Sequence, residues 1–164
     1  MRDKLTAEEL RKSLSYDPST GIFRRTSNSK VAGCTTAFGY RSISVMGVEY
    51  RSHRLAWLYV YGCWPDGQLD HINGIKDDIR IANLREATVI ENQRNAKIRI
   101  DNTTGFKGVF VCKGKYHAQI KINGSLKHIG RFSTAEEAHA AYCNVAKEKF
   151  GEFFNSGIPA HVGC

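Results

Sequence analysis

The chain has 164 residues and a formal net charge of +8, with 41% hydrophobic and 24% charged residues. This length supports one ordinary hydrophobic core or two small ones, and the composition excludes a disordered protein. The sequence has no run of about 18 apolar residues and its N-terminus is charged, so we predict a cytoplasmic protein with no membrane partner. The five cysteines are scattered and form no C-x-x-C pair, which predicts reduced thiols and no zinc site.

Basic residues concentrate between Gln93 and Arg131. Nine lysines and arginines fall in this segment against one acid, Asp101. A polyanion is the expected partner, and nucleic acid fits better than a membrane because no large apolar helix face accompanies the charge. The alternative is a basic face that serves only solubility.

The first sixty residues predict a helix, a turn, one early strand hairpin and a second helix. A T-x-x-E capping box at Thr6 indicates a short helix within residues 1–15. After a Pro-Ser-Thr-Gly turn, two alternating runs around Met46-Gly47 predict a hairpin. An amphipathic helix then begins at Ser52 and ends at Gly62, and we expect it to form a wall of the core.

Residues 69–95, LDHINGIKDDIRIANLREATVIENQRN, differ from ordinary core sequence. They predict a short strand, a turn-rich loop, a second strand and a helix that a T-x-x-E capping box opens at Thr88. So short a unit has too little apolar surface to be kept for its own stability, which favours a functional site over a scaffold.

The polar residues of this segment suit phosphodiester cleavage, which needs a base for water and an electrophile for the phosphate. Asp70 and the amide oxygen of Asn92 can hold a hard divalent ion. His71 can act as the base if the strand ends there and the Asn73-Gly74 turn brings it back to the site. Asn83 can hydrogen-bond the loop that carries His71. The alternative is a surface ion pair with asparagines that only form turns.

Residues 53–95 resemble the HNH endonuclease module of the His-Me finger nucleases, in the phage and intron-encoded homing type. The stretches "YDPSTGIFRR" and "YRSISVMGVEYRSHRL" extend the resemblance over most of residues 6–95. The resemblance implies a ββα-metal core in which His71 activates the water. It also implies that Asp70 and Asn92 hold one divalent metal, magnesium or alternatively manganese. Asn83 would be the central, structural Asn of the motif.

The chain departs from the family pattern at Ile79. The family commonly has an Asn there, in the pattern D-N-R, and if that Asn braces the loop its loss would leave this copy less rigid or less active. His53 is shared with the family, and we expect it to pack or hydrogen-bond near the start of its helix rather than to act directly.

The C-terminal segment predicts a three-stranded antiparallel sheet packed on one helix. Turns at Lys113-Gly114 and Asn123-Gly124 separate the strands, and the helix starts after Ser133 or Thr134 and ends at Gly151. We expect four side chains of the helix to pack on the sheet: Ala138, Ala141, Tyr142 and Val145. In the central strand, Tyr116, Ala118 and Ile120 would face the helix, leaving on the open face His117, Gln119 and Lys121.

Residues 102–155 resemble the Apetala-type, or ethylene-response-factor, DNA-binding domain, through "FKGV", "GRFSTAEEAHAAY" and "FGEFFN". The resemblance implies a sheet that enters the major groove. The residues that would then face DNA are Lys107, Gln119, Lys121 and His128. Phe110 and Cys112 stand where plant members usually have Arg, so base reading by a guanidinium is lost at two points. The alternative is a module that merely stabilises the enzyme.

The sequence therefore predicts an α+β protein with a nuclease domain at residues 1–98, a linker at 99–101, a DNA-binding domain at 102–155 and a frayed tail at 156–164. We expect a metal-dependent homing-type endonuclease that nicks double-stranded DNA as a monomer or weak dimer. One alternative is a DNA-binding regulator with a decayed nuclease core, for which Ile79 is the only hint. Another, an RNA-binding module without catalysis, rests on charge alone.

Overall fold

The computed structural model describes residues 5–98 and 101–157, and the chain divides into two units between Asn92 and Gln93. These residues form four α-helices and small sheets whose paired strands are all antiparallel, so the fold is mixed α and β. None of their helices is long and apolar enough to cross a membrane. Most of the predicted linker and of the predicted tail lies outside the described residues, and the predicted domain boundary after residue 98 stays a prediction.

The first unit alternates short helices and short strands. Its elements in chain order are α1 (Ala7–Ser13), β1 (Leu14–Asp17), β2 (Ile22–Arg25), β3 (Cys34–Thr35), β4 (Arg41–Val45), β5 (Val48–Arg51), α2 (Ser52–Tyr61), β6 (Gln68–His71), a 3-10 turn (Ile81–Asn83), β7 (Leu84–Ala87) and α3 (Val89–Asn95), whose last residues belong to the second unit.

Local signals in the sequence locate these elements correctly. The capping box at Thr6 is present, with Glu9 accepting from its backbone N–H at 2.9 Å, and α1 follows it. The β4–β5 hairpin turns at Met46 and Gly47, which both have positive φ, as a two-residue turn between twisted strands requires. Helix α2 ends at Gly62, which adopts the left-handed conformation at φ 77°.

One hydrophobic core holds the first unit together. Helices α1 and α2 and strands β1, β2 and β4 supply its fully buried side chains, which include Leu10, Leu14, Phe23, Ile43, Leu55 and Leu58. Burying each of these side chains stabilises the fold by roughly 1.5–3 kcal/mol. The predicted role of α2 as a wall of this core is confirmed.

Strands β6 and β7 form a separate two-stranded sheet that leads into α3. The register pairs Asp70 with Arg85 and His71 with Leu84. The loop between the strands is tied to the β1–β2 hairpin, because Tyr16 donates its hydroxyl to the Ile79 carbonyl at 2.7 Å. Ile79 itself is only 1% exposed and belongs to the core. The predicted order of strand, loop, strand and helix is confirmed.

The second unit contains a three-stranded sheet and a long helix. Its elements are β8 (Val109–Cys112), β9 (Lys115–Ile122), β10 (Ser125–Phe132), α4 (Ala135–Phe150) and a 3-10 turn (Gly151–Phe153), with strand order β10-β9-β8. Thr134 caps α4 through a capping box with Glu137. Gly108 has φ 78°, and a Cβ there would overlap the Tyr142 ring, so the chain needs a glycine before β8.

The helix packs on the sheet along a stripe that the sequence predicted in part. Ala138 and Tyr142 lie in the core as predicted, and Val145 packs against its edge. Ala141 is half-buried and outside this core, so its prediction was wrong. The stripe instead continues along the helix through Ala146 and Phe150. On β9, the helix-facing side chains are Tyr116, Ala118 and Ile120, as predicted.

Candidate active site

His71 lies at the last position of β6, and a turn begins there, with the Gly74 N–H donating to the His71 carbonyl at 2.8 Å. The side chain is 6% exposed. Its ring contacts the His53 ring edge-on, with 5.1 Å between centroids and 77° between planes, and the Tyr40 ring at 6.1 Å. The strand therefore does end at His71, as the predicted site requires.

Burial disfavours the charged form of both histidines. It lowers the pKa of His71, while the negative charges of Asp70 and Asp78 offset part of that effect. Burial, and then the neighbouring His71, lower the pKa of His53 to about 3. A neutral imidazole can accept a proton, so His71 has the protonation state that a general base needs near pH 7.

His53 is a buried polar residue at the start of α2. Its Nδ1 atom has no hydrogen-bond partner among residues 5–98 and 101–157. The expectation that His53 packs near its helix start agrees with its ring contacts to His71 and, at 5.7 Å, to Tyr40.

Asp70 is paired with Arg85 across the β6–β7 sheet. Oδ2 of the carboxylate accepts from Nε at 3.0 Å and from Nη2 at 2.8 Å, and the two side chains are 5% and 12% exposed. A guanidinium that donates twice to one carboxylate forms a strong, charge-assisted contact. The sequence reasoning overlooked Arg85, although the register of a strand pair with Asp70 opposite it could have revealed the contact.

Asn83 joins both ends of the loop that follows His71. Its Oδ1 accepts from the Asn73 backbone N–H at 3.0 Å, and its Nδ2 donates to the Asp78 carbonyl at 2.8 Å. Its own carbonyl accepts from the Ile72 N–H at 2.9 Å. With 7% exposure, Asn83 is buried, and its amide uses both donor and acceptor groups to hold the loop.

Asn92 lies on the first full turn of α3, after the capping box of Thr88 and Glu91. Its Nδ2 donates to Oε1 of Gln68 at 2.8 Å. Gln68 and Asp70 are two residues apart on β6, so their side chains leave the same face of the strand. The structure therefore brings Asn92 to the strand face that carries Asp70.

The donor set of Asp70 and Asn92 fits a hard divalent cation in its chemistry. A carboxylate and an amide oxygen are suitable ligands, and such an ion keeps several waters when proteins supply few ligands. Two adjustments are needed. The Asn92 amide must present its oxygen, and the Asp70 carboxylate must share its charge with the ion and with Arg85. Within the described ranges no three His, Cys, Asp or Glu side chains are grouped as a metal centre.

The open face of the second sheet carries three of the four residues predicted to contact DNA. Gln119 pairs with His128 in the register of β9 and β10, and Lys121 is exposed on the same face. His117 lies on the same face of β9, stacked on Phe110 of β8 with 5.2 Å between ring centroids, and its Nδ1 is 3.1 Å from Nε2 of His128 on β10. Gln119, Lys121 and His128 thus share one surface.

Lys107 is placed elsewhere. Its ammonium donates to the carbonyls of Arg94 at 2.7 Å, Ala96 at 2.8 Å and Asn155 at 3.1 Å. Burial lowers the pKa of Lys107 to about 8. Since an ammonium has three donors and all three are used, this geometry argues against the predicted contact of Lys107 with DNA. The carbonyls come from distant parts of the chain, so no local pattern signalled this role.

Comparison with known proteins bears on the β6–α3 segment. No curated protein and no solved structure matches the chain. Residues 50–94 match the family model described as HNH endonuclease. The matched residues include Asp70, His71, Asn83 and Asn92. This match supports an HNH nuclease, an enzyme that hydrolyses DNA.

Proposed function

We propose that the chain is a divalent-metal-dependent endonuclease of the homing type, encoded by a phage or an intron and acting in the cytoplasm. It hydrolyses a phosphodiester bond in double-stranded DNA and nicks one strand as a monomer, or as a weak dimer. The observation that carries the proposal is the buried, neutral His71 at the end of β6, beside Asp70, within the segment that matches the HNH endonuclease model.

His71 is the general base. It removes a proton from the attacking water, a bond forms between the water oxygen and phosphorus, and the bond from phosphorus to the leaving oxygen breaks. The leaving oxygen ends protonated and the imidazole returns its proton to solvent. The neutral state of His71 and its position at a strand end suit this role, because a fixed base loses little orientational freedom on reaction.

Asp70 and Asn92 would hold the metal, which supplies positive charge to the phosphate and the leaving oxygen when it is bound. Asn83 is a positioning residue. Its hydrogen bonds to Asn73 and Asp78 keep the loop after His71 in one conformation, and so orient the imidazole. These assignments make magnesium the expected ion, with manganese as the alternative, since both accept oxygen ligands.

The second unit would hold the duplex through the open face of its sheet. Lys121 is suited to a phosphate, and Gln119 to an adenine edge, because an amide presents a donor and an acceptor together. His128 lies beside Gln119 on the neighbouring strand. We propose that this sheet enters the major groove, as in the Apetala-type domains that the sequence resembles.

The main alternative is a DNA-binding regulator whose nuclease core has decayed. Its only hint is Ile79, where the family pattern has Asn. In this chain the side chain of Ile79 fills the core, and its carbonyl accepts from Tyr16. The Ile81 N–H also donates to the Pro18 carbonyl at 3.2 Å. The β1–β2 hairpin therefore braces the loop, which favours a working site over a decayed one.

Nicking of a supercoiled plasmid, with and without magnesium, tests the proposal. The wild type should nick only with the metal, and His71→Ala should be slower by roughly 100- to 10,000-fold, the usual worth of a positioned base. DNA affinity should change little. A matched control is His117→Ala, which removes an imidazole on the other unit and should keep the rate of nicking at saturating DNA.

Two results would contradict the assignment. Near-normal nicking by His71→Ala would show that another group is the base. Absence of nicking by the wild type in magnesium and in manganese, with DNA binding intact, would favour the regulator. An RNA-binding protein would instead bind RNA in preference to the duplex.

A further inference from the structure

Tyr40, Arg51 and Lys76 form a compact group, here named the Tyr40 cluster, beside the candidate base. The guanidinium carbon of Arg51 lies 5.3 Å and Nζ of Lys76 lies 4.8 Å from the centroid of the Tyr40 ring. Both distances are within the range of a cation–π contact. Tyr40 comes just before β4, Arg51 ends β5, and Lys76 lies in the loop between β6 and β7, so three separate segments build the cluster.

The two cations of the cluster are exposed and carry net positive charge. Within the part of the chain that the structure describes, neither forms an ion pair with a carboxylate. The acids of the same loop are engaged elsewhere. Asp77 lies 3.5 Å from Arg41, and Asp78 lies 2.6 Å from Arg80. The positive charge of Arg51 and Lys76 is therefore not neutralised locally.

Most donors of these cations are also available to a ligand. Lys76 gives one hydrogen bond, to the Phe38 carbonyl at 3.1 Å, and Arg51 gives one, to Oγ1 of Thr36 at 3.4 Å. An ammonium has three donors and a guanidinium has five. Each side chain is held in place by one bond and by the Tyr40 ring, which lowers the entropy cost of binding an anion.

The cluster adjoins the site of the proposed chemistry. The same Tyr40 ring that the cations approach lies 6.1 Å from the His71 ring and 5.7 Å from the His53 ring, measured between centroids. The distance from each cation to the His71 ring is therefore at most the sum of two distances, from the cation to the Tyr40 ring and from the Tyr40 ring to the His71 ring. Phosphates recur about every 3.4 Å of axis along one DNA strand, so phosphates next to a bond held at His71 fall within reach.

We propose that the Tyr40 cluster binds the DNA backbone at phosphates that flank the bond to be cut. Arg51 and Lys76 each contact a phosphate, and the Tyr40 ring, which contacts both cations and the His71 ring, fixes their positions relative to His71. The inference rests on the proposed nuclease function and adds a second DNA contact, on the first unit, to the open face of the second sheet. It also makes the first unit itself a determinant of where the strand is held.

A purely structural role is the competing explanation, because both cations tie separate segments together. Charge decides between the two. A brace depends on hydrogen bonds and packing, whereas a phosphate contact depends on the positive charge and releases counterions. The salt dependence of DNA binding reports only the phosphate contact, since each lost contact reduces the magnitude of the slope of log affinity against log salt by about 0.9.

The experiment measures binding of a fluorescein-labelled duplex to the full-length protein by anisotropy, in a series of salt concentrations, without added metal. The variants are Arg51→Gln, Lys76→Gln and their double. Matched controls are Arg24→Gln, which removes an exposed arginine with one backbone contact at 3.1 Å, and Lys30→Gln. The charge-conserving variants Arg51→Lys and Lys76→Arg test rescue.

Each single variant should make the slope of log affinity against log salt less negative by about 0.9, and the double variant by about 1.8. Both controls and both charge-conserving variants should keep the wild-type slope. An unchanged slope in the double variant, or an equal loss in the controls, would overturn the proposal. Tryptophan fluorescence monitors folding of the first unit, because Trp57 and Trp64 are the two tryptophans of the chain.

This assay is independent of the nuclease proposal. If the wild type fails to nick plasmid but the slopes fall as stated, the cluster is a DNA contact and the catalytic proposal fails. If nicking occurs and the slopes do not change, the nuclease assignment stands and the role of the cluster is structural.

Discussion

The Asp70 carboxylate has two cationic partners to accommodate, the guanidinium of Arg85 and the proposed metal. In the structure Arg85 donates twice to Oδ2, and both side chains are almost completely buried. A buried carboxylate needs a positive partner, because its desolvation costs several kcal/mol. Arg85 therefore stabilises the charged form of Asp70 and at the same time reduces its attraction for a divalent ion.

Replacing Arg85 with Met should separate these two effects. Without metal, Arg85→Met should lower the free energy of unfolding by about 3–5 kcal/mol, the usual cost of leaving a buried charge unpaired. Because a competing positive charge is gone, the affinity for manganese or magnesium should rise by at least roughly tenfold, equivalent to about 1.4 kcal/mol. Calorimetric titration measures the affinity, and melting with and without metal measures the stability.

Arg80→Met is the matched control for this experiment. Arg80 pairs with Asp78 in the same segment, but its side chain is 51% exposed, so its loss should cost far less stability than the loss of Arg85. Metal affinity should not rise in that variant. A lower metal affinity in Arg85→Met than in the wild type would mean that Arg85 shapes the carboxylate for the metal rather than competing with it.

Single residues also show what the sequence can and cannot reveal. Asp70, His71 and Asn83 were singled out because their spacing around an Asn-Gly turn is local information. The partners of Lys107 are carbonyls at residues 94, 96 and 155, which only the folded second unit brings together. The Tyr40 cluster has the same origin, since its cations come from separate segments. Contacts that depend on how separate segments pack together leave no signal in a local sequence pattern.

The stability of the short helix α3 determines how firmly Asn92 is held in the candidate site. It has seven residues, so it depends on its capping box more than a long helix does. Thr88 accepts from the Glu91 N–H at 3.2 Å and Glu91 accepts in return from Thr88. Asn92 follows directly, and its backbone N–H donates to the Thr88 carbonyl at 3.0 Å. Loss of the cap should therefore loosen Asn92.

Thr88→Ala should cost about 1 kcal/mol of helix stability and raise the magnesium concentration needed for half-maximal nicking, because Asn92 is less often in place. Thr6→Ala removes an equivalent capping box on α1, remote in sequence from the site, and should leave the magnesium requirement unchanged. Nicking rates over a magnesium series measure both variants. An equal shift in the two would show general destabilisation rather than control of Asn92.

Elements with local signals were predicted well, and the reason is physical. A capping box satisfies helix N–H groups within three residues, and an Asn-Gly or Lys-Gly pair supplies the positive φ that a tight hairpin needs. The helix-facing stripe of α4 was predicted less well. Ala141 and Ala146 look alike in sequence, and only the position of the sheet decides which is buried.

The molecule combines a first unit that carries the candidate site with a basic second unit, so the proposed DNA binding should depend strongly on salt. If about five phosphates are contacted in total, the slope of log affinity against log salt should be near −4.5, and affinity should fall by roughly 500-fold between 50 and 200 mM salt. The two lysines predicted to contact DNA should now behave differently, because Lys121 is exposed on the open face and the Lys107 ammonium is bound to three carbonyls.

Lys121→Gln should weaken binding to all DNA sequences alike and reduce the magnitude of the salt slope by about 0.9. Lys107→Gln should leave the slope unchanged and destabilise the second unit, since each hydrogen bond from a charged group is worth about 1.5–3 kcal/mol. Anisotropy measures the slopes. Far-UV circular dichroism reports both units and tryptophan fluorescence only the first, because the second unit has no tryptophan, so a loss seen by circular dichroism alone belongs to the second unit. A reduced slope magnitude for Lys107→Gln in a fully folded protein would support the contact with DNA that the sequence predicted for Lys107. An unchanged slope in Lys121→Gln would mean that the open face of the sheet does not bind the backbone at that lysine.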